Sequence, residues 1–263
     1  MNPERIDRRG LKADMKSVVR NAQVSARAMT ALYLGLSLLL SLLNYVGSSR
    51  GGALSIFLSI LTTLVTVVLG AGFALYCMAI LRRERAEYLS LFDGFSIAGK
   101  FIALYIVKIC FISLWSMLFV VPGIIAMYRY RFAEYNLLEN PDLGVFQALD
   151  MSKRQTAGYK MQLFTLDLSY FGWAILATLP VMAESYLYSF ETVLVSLGQA
   201  PFLPVLSDVQ YLLWMVLTGL WQIGVSLFYL PTYQCTELAY YETAKATSGI
   251  DAEHFQIPTP DGL

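Results

Sequence analysis

Long apolar runs separated by short polar segments organise this chain. Residues 28–46 hold no charged side chain and match the ~20 residues a helix needs to cross about 30 Å of hydrocarbon. After a short link, Gly47-Ser48-Ser49-Arg50-Gly51-Gly52, residues 53–81 run apolar for longer than one crossing requires, which predicts a tilted or projecting helix. Further apolar runs cover 101–121, 161–182 and 208–230. Residues 82–100 are too charged for hydrocarbon, with Arg82, Arg83, Glu84, Arg85, Glu87 and Asp93 ahead of Gly94, so they belong in water or at the interface. Residues 124–139 are ambiguous, because Arg129, Arg131, Glu134 and Asn136 interrupt an apolar and aromatic stretch. The positive-inside bias decides for a return helix there. With it, the N-terminus, the 82–100 loop, the loop carrying Lys153, Arg154 and Lys160, and Lys245 all share the cytoplasmic side, leaving only Arg50 outside.

The pattern therefore predicts an all-α, polytopic integral membrane bundle of about six transmembrane helices, multi-pass in the cell membrane with both termini cytoplasmic. Residues 1–27 carry Arg5, Arg8, Arg9, Lys12, Lys16, Arg20 and Arg27, with Leu11, Met15, Val18 and Ala22 on one face. They read as a basic amphipathic helix on the cytoplasmic membrane surface, leading into an uncleaved first span rather than a signal peptide. Residues 28–230 form the bundle. Residues 186–203, broken by Pro201 and Pro204, read as an outer interfacial loop, and the loop containing Glu184 and Glu191 has no Lys or Arg. Residues 231–263 begin as a short cytoplasmic helix with Glu237, Tyr240, Tyr241 and Glu242 and end in a disordered tail.

Composition removes several alternatives. The 263 residues are 57% hydrophobic and 14% charged, against ~25% charged in soluble domains, so a lipid-facing surface is required. Lys+Arg and Asp+Glu are equal at 19 each, which leaves no nucleic-acid footprint; the expected partners are membrane lipids, including anionic headgroups. Cys77, Cys110 and Cys235 sit in apolar stretches and read as small buried hydrophobes. The only histidine, His254, has no second ligand nearby, so neither a metal site nor a histidine-based triad is expected. No H-E-x-x-H, G-x-S-x-G, P-loop or dinucleotide fingerprint is present. No catalytic residue and no cofactor is predicted, and a non-enzymatic structural, lipid-interacting or regulatory envelope role follows.

Ionisable residues inside spans are the places to look for function, since each costs about 3 kcal/mol to insert unpaired. At ~1.5 Å per residue, Lys108 and Asp167 each lie ~9–10 Å in from the cytoplasmic starts of their helices, and Arg131 and Glu134 fall near the same depth. With Arg129 they predict an intramembrane polar cluster, with Lys108 pairing Asp167 and Arg131 pairing Glu134. The cluster neutralises and pins helices, or binds an ion, a solute or an anionic headgroup; a small transporter or channel component is the competing reading. Tyr128, Tyr130, Phe132 and Tyr135 alternate with these charges as interface anchors or a pocket wall. Gly70, Gly72, Gly219 and Gly224 allow close helix packing without a strict GxxxG, and Pro122-Gly123 marks a turn.

Several strings are similar to those of a known family. They are Arg9-Gly10-Leu11-Lys12-Ala13-Asp14-Met15-Lys16, Leu91-Phe92-Asp93-Gly94-Phe95, Pro122-Gly123-Ile124-Ile125 and Glu139-Asn140-Pro141. Residues 148–152 and Gly158-Tyr159-Lys160 follow, then the most specific piece, residues 163–173, with Asp167, Gly172 and Trp173. Near the end come Pro231-Thr232-Tyr233 and Ala239-Tyr240-Tyr241-Glu242. Together they resemble the uncharacterised multi-pass bacterial membrane family built on domain of unknown function 975. The inserted Thr232, and Trp221 with Gln222, depart from its Gly-rich apolar pattern. The resemblance implies an integral membrane protein of Gram-positive type bacteria with no known activity, and marks Asp167 and Trp173 for testing.

Overall fold

A computed structural model describes residues 6–48, 51–201 and 207–251. Arg5, Arg50, Pro204, His254 and the tail from residue 252 lie outside the described residues. The described chain is helical throughout, without a strand. Its elements are α1 (Arg8–Asn21), α2 (Ala26–Ser48), α3 (Gly52–Leu81), a 3-10 segment (Tyr88–Ile97), α4 (Ala98–Leu118), α5 (Val120–Arg129), α6 (Ala133–Glu139), α7 (Val145–Gln155), α8 (Lys160–Ser196) and α9 (Asp208–Ser248).

Burial divides the molecule lengthwise. At one end, α6, α7, residues 68–80 of α3, the start of α8 and the last half of α9 form a packed head around Tyr76, Phe132, Leu137, Leu163, Leu166 and Tyr241. Away from the head, α2, the first half of α3, α8 and α9 present large apolar side chains outward, among them Leu43, Phe57, Leu176 and Leu217. A bundle in water would hide such a surface. Five helices are long and apolar enough to cross a membrane: Ala26–Gly47, Gly52–Leu81, Tyr88–Leu118 (the 3-10 segment with α4), Lys160–Ser196 and Asp208–Ser248.

The expectation of about six differs from these five candidates at one place, residues 124–139. The return helix over 124–139 does not form as one element, because the backbone breaks at residues 130–132 between α5 and α6. Side chains of α7 hold the break: Ser152 Oγ accepts from the Phe132 N–H (3.0 Å) and donates to the Arg129 carbonyl (2.9 Å). The 101–121 run is α4 from Ala98 to Leu118. The 186–203 loop is also corrected. Between Tyr186 and Ser196 there is neither glycine nor proline, so α8 continues through that stretch for 37 residues in all and turns only at Leu197 and Gly198. Likewise the helix expected to start at residue 231 is the continuation of α9, which passes through Pro231 to a left-handed cap at Gly249.

Pro180, inside α8, cannot donate to the carbonyl of Leu176 four residues earlier. The Trp221 indole Nε1–H of α9 donates to that carbonyl instead, at 2.9 Å. This matters because hydrocarbon offers no water to an orphaned backbone group.

The 3-10 segment crosses α3 at two glycines. A Cβ on Gly72 would run into the Leu91 carbonyl oxygen, and one on Gly94 would lie 2.6 Å from that of Val68. Gly219 similarly admits Leu38 of α2, whereas Gly70 and Gly224 face open space or a single distant atom. Helix α1 is capped by Asp7, whose carboxylate accepts from the Arg9 N–H. It lies across α8: Arg8 Nη1 donates to the Thr165 carbonyl (2.9 Å), and Lys12 Nζ donates to Ser169 Oγ (2.5 Å) over the Tyr170 ring. Burial, with the Arg8 charge added, lowers the Lys12 pKa below its ordinary value.

Candidate functional site: an ion-paired layer at the head

The break between α5 and α6 aims Arg131 at two neighbouring helices. Its Nη1 donates to Asp167 Oδ2 of α8 at 2.7 Å, and its Nε to Glu237 Oε1 of α9 at 2.9 Å. Tyr128 and Tyr233 hydroxyls donate to the same Asp167 carboxylate at 2.7 and 2.9 Å, and Tyr233 also touches the guanidinium. Arg131 therefore clamps α8 and α9 to the α5–α6 elbow. Beside it, Lys108 of α4 donates to Glu134 Oε1 of α6 at 2.6 Å. The pairing differs from the expected one: Lys108 joins Glu134 rather than Asp167, and Arg131 joins Asp167 rather than Glu134. The elbow turns Arg131 away from the face that Glu134 occupies on α6, so an i, i+3 contact is not made.

Other expected residues take separate places. Arg129 is half-exposed, stacked 5.8 Å from the Tyr130 ring and without an ion pair among the described residues. Tyr130 packs on Phe111, while Phe132 and Tyr135 pack on Tyr241. Gly123 sits against Ser116, whose Cα would lie 2.9 Å from an added Cβ, so α4 and α5 touch closely there beside Pro122. Gly172 faces open space, and Trp173 stacks on Tyr229 at 6.4 Å. Cys77 and Cys235 are buried in mutual contact, but Cys110 is exposed on α4, against expectation. Among the described residues no group of three or more Asp, Glu, His or Cys converges as a metal would need.

Sequence reasoning missed Glu237 and Tyr233 as members of this layer, because it ended the last span at residue 230. The signal was present: Tyr233, Glu237 and Tyr241 recur every fourth residue and continue one helical face beyond Pro231. It also missed a second network deeper in the head. Glu139 there accepts from Arg82, Lys245 and Tyr241, with Glu242 bound to both cations. Asn136 and Gln155 exchange amide hydrogen bonds at 2.9 Å in both directions beside it. No buried side-chain nitrogen or oxygen among the described residues lacks a partner.

The Arg131 layer also has a measurable level. Glu184 of α8 accepts from Trp214 Nε1 of α9 at 2.6 Å, and Asp167 and Glu184 are 17 residues apart on one helix, about 26 Å. Only uncharged residues lie between them. Two polar levels that far apart match the two faces of about 30 Å of hydrocarbon.

A helical bundle with several helices long and apolar enough to cross a membrane, closed by an ion-paired head, fits a membrane protein. Residues 117–248, half of the chain, match the model of a protein family of unknown function, DUF975. The chain belongs to that family. No curated protein and no solved structure matches it.

Proposed function

We propose that this protein is a non-enzymatic, lipid-interacting component of the cell membrane, with its head and both termini in the cytoplasm. The orientation draws on cations. Arg9, Lys16, Arg20, Arg27, Arg83, Arg85, Lys153, Arg154 and Lys160 all belong to the head end, in accord with the positive-inside bias.

One observation carries the lipid reading. A groove of about 540 Å³ lies where α1 and the start of α2 meet the middle of α9, lined by Lys16, Arg20 and Arg27 on one side and Leu227, Phe228 and Pro231 on the other. None of the three cations forms an ion pair among the described residues. Free cations above an apolar wall suit a phospholipid whose phosphate meets the basic side and whose acyl chain lies on Phe228. The ionisable groups of the Arg131 layer, by contrast, are engaged with one another and serve as a helix clamp.

The test is native mass spectrometry after reconstitution with equal amounts of phosphatidylglycerol and phosphatidylcholine. Selective retention of phosphatidylglycerol by the wild type, lost in the Lys16→Ala/Arg20→Ala/Arg27→Ala variant, is the expected result; equal retention by both proteins refutes the reading. A second reading, a small transporter or channel component, draws on another cavity of about 540 Å³ between α3, α4, α6 and α9, lined by Tyr105, Glu134, Gln222, Gln234 and Glu237. Solute or ion flux in proteoliposomes that disappears with Gln222→Leu, a change in the wall of this cavity, supports that reading over the first.

A further inference from the structure

We infer that the α4–α5 hairpin is a half-membrane wedge: it enters the hydrocarbon from the head side, turns near the bilayer midplane and packs its bare tip against the acyl chains of that one leaflet. The inference is independent of the lipid groove and rests on reach, on turn chemistry and on exposure.

Reach sets an upper bound. The hairpin arms are in register through Lys108 with Glu134 and Phe111 with Tyr130, so both leave the ion-paired layer together. Phe119, the turn, lies 11 residues beyond Lys108 and 12 before Arg131. Either arm therefore extends at most about 16–18 Å past the layer, even if it runs straight along the bilayer normal. The opposite polar level, at Glu184 and Trp214, is about 26 Å from the layer along α8. The tip falls short of it. The first half of α4 adds nothing to the reach, because Phe101 and Leu104 are buried in the head and Lys100 Nζ donates to the Pro141 carbonyl there.

Turn chemistry agrees. The α2–α3 turn reads Gly47-Ser48-Ser49-Arg50-Gly51-Gly52, small and polar as turns in water are, and the longer α8–α9 connection opens with Gly198-Gln199 and holds Pro201 and Pro204 among apolar residues. The α4–α5 turn reads Met117-Leu118-Phe119-Val120-Val121-Pro122-Gly123, and no charged residue occurs from Ile109 to Tyr128. It is also economical with backbone polarity, as hydrocarbon demands. Only Phe119 is non-helical between the two helices; its N–H donates to Trp115 and its carbonyl accepts from Gly123. Pro122, in the first turn of α5, removes one donor that would have had no helical partner.

Exposure completes the case. Met117, Phe119 and Val120 are 85%, 71% and 72% exposed, covered by no other element among the described residues. In water such a tip would be an aggregation site; within one leaflet it is solvated. The chain then makes four full crossings, α2, α3, α8 and α9, and the wedge leaves the side of every loop unchanged.

Cysteine accessibility tests this in the full chain. In a Cys110→Ala background, Val120→Cys is compared with Asp142→Cys in the head and Gln199→Cys in the far turn, using a charged, membrane-impermeant maleimide on intact cells and on inverted vesicles. Asp142→Cys and Gln199→Cys are expected to react in opposite preparations and Val120→Cys in neither. Bimane attached at Val120→Cys, in phosphatidylcholine vesicles, is expected to be quenched most by lipids brominated near the ends of their acyl chains. Labelling of Val120→Cys together with Gln199→Cys overturns the inference in favour of a complete crossing. Labelling together with Asp142→Cys, or quenching strongest by headgroup-proximal bromines, overturns it in favour of a tip at the water interface.

Discussion

The Pro180 and Trp221 contact isolates a single backbone hydrogen bond inside the apolar zone. Trp221→Phe keeps an aromatic ring on α9 but removes the indole N–H that serves the Leu176 carbonyl. With Pro180 still in place that carbonyl has no helical donor. A buried unsatisfied backbone group costs about 1–3 kcal/mol, and interhelical hydrogen bonds measured in membranes average about 0.6 with a maximum near 1.7 kcal/mol. A loss of about 1–2 kcal/mol follows for Trp221→Phe in the native background. Pro180→Ala returns an N–H to position 180, in reach of Leu176 along the helix, so the indole becomes redundant. In that background Trp221→Phe should cost only the packing difference between the two rings, a few tenths of a kcal/mol.

The difference between the two costs, about 1 kcal/mol, is the coupling energy of the cycle, and terms common to both backgrounds cancel. Reversible unfolding in mixed micelles, titrated with a denaturing detergent and followed by helical circular dichroism, measures it. Equal losses for Trp221→Phe in the native protein and in the Pro180→Ala variant would refute the assignment.

Four further outcomes can be checked in one detergent by thermal unfolding. Arg131→Leu strands Asp167 and Glu237 and should cost about 3–5 kcal/mol, most of it recovered when Asp167→Asn and Glu237→Gln are added; no recovery would show that the clamp is not electrostatic. Lys108→Met should be milder, about 1 kcal/mol, because Glu134 keeps 28% of its side chain exposed. Its double-mutant cycle with Glu134→Gln should show coupling and its cycle with Asp167→Asn none, the reverse result restoring the pairing expected from helix depth. Gly72→Ala drives a methyl into the Leu91 carbonyl and should cost about 1–3 kcal/mol or more, while Gly224→Ala, facing open space, should be neutral or slightly stabilising.

Much of this architecture was legible in the chain. Residues 28–46, 53–81 and 101–121 lie within a few residues of α2, α3 and α4, because an unbroken apolar run fixes where a helix must be. What failed was the use of charge and proline as boundaries. Glu184 and Pro231 do not end their helices: α8 runs past the first to Ser196, and α9 passes through the second. At Pro180, which the 161–182 run already included, a donor from α9 replaces the missing one, and nothing in the sequence around residue 180 names Trp221 as that donor. Residues 124–139 failed for the opposite reason: the composition reads as one weak span, but Ser152, a residue of α7, holds the chain bent at Phe132. The cluster residues were legible as a depth layer through Lys108, Arg131, Glu134 and Asp167, while their pairing was not. Depth follows from counting along one helix, whereas pairing depends on how four elements rotate against each other.

The polar contacts between α8 and α9 explain how such a bundle fixes its register. In lipid, apolar side chains gain little by touching one another rather than acyl chains, so two long apolar helices can slide with small loss. Three directional contacts prevent it. Tyr233 and Glu237 meet the level of Asp167 through Arg131, Trp221 meets Leu176, and Trp214 meets Glu184. The order on α9 runs opposite to that on α8, as antiparallel packing demands, and a shift by one helical turn, about 5.4 Å, would break all three together. The clamp at Arg131 differs from the other two in also holding α5 and α6. It therefore ties the register of the long pair to the position of the hairpin. Loss of Arg131 should free the α4–α5 wedge from α8 and α9, whereas loss of Trp221 should loosen the long pair and leave the wedge seated.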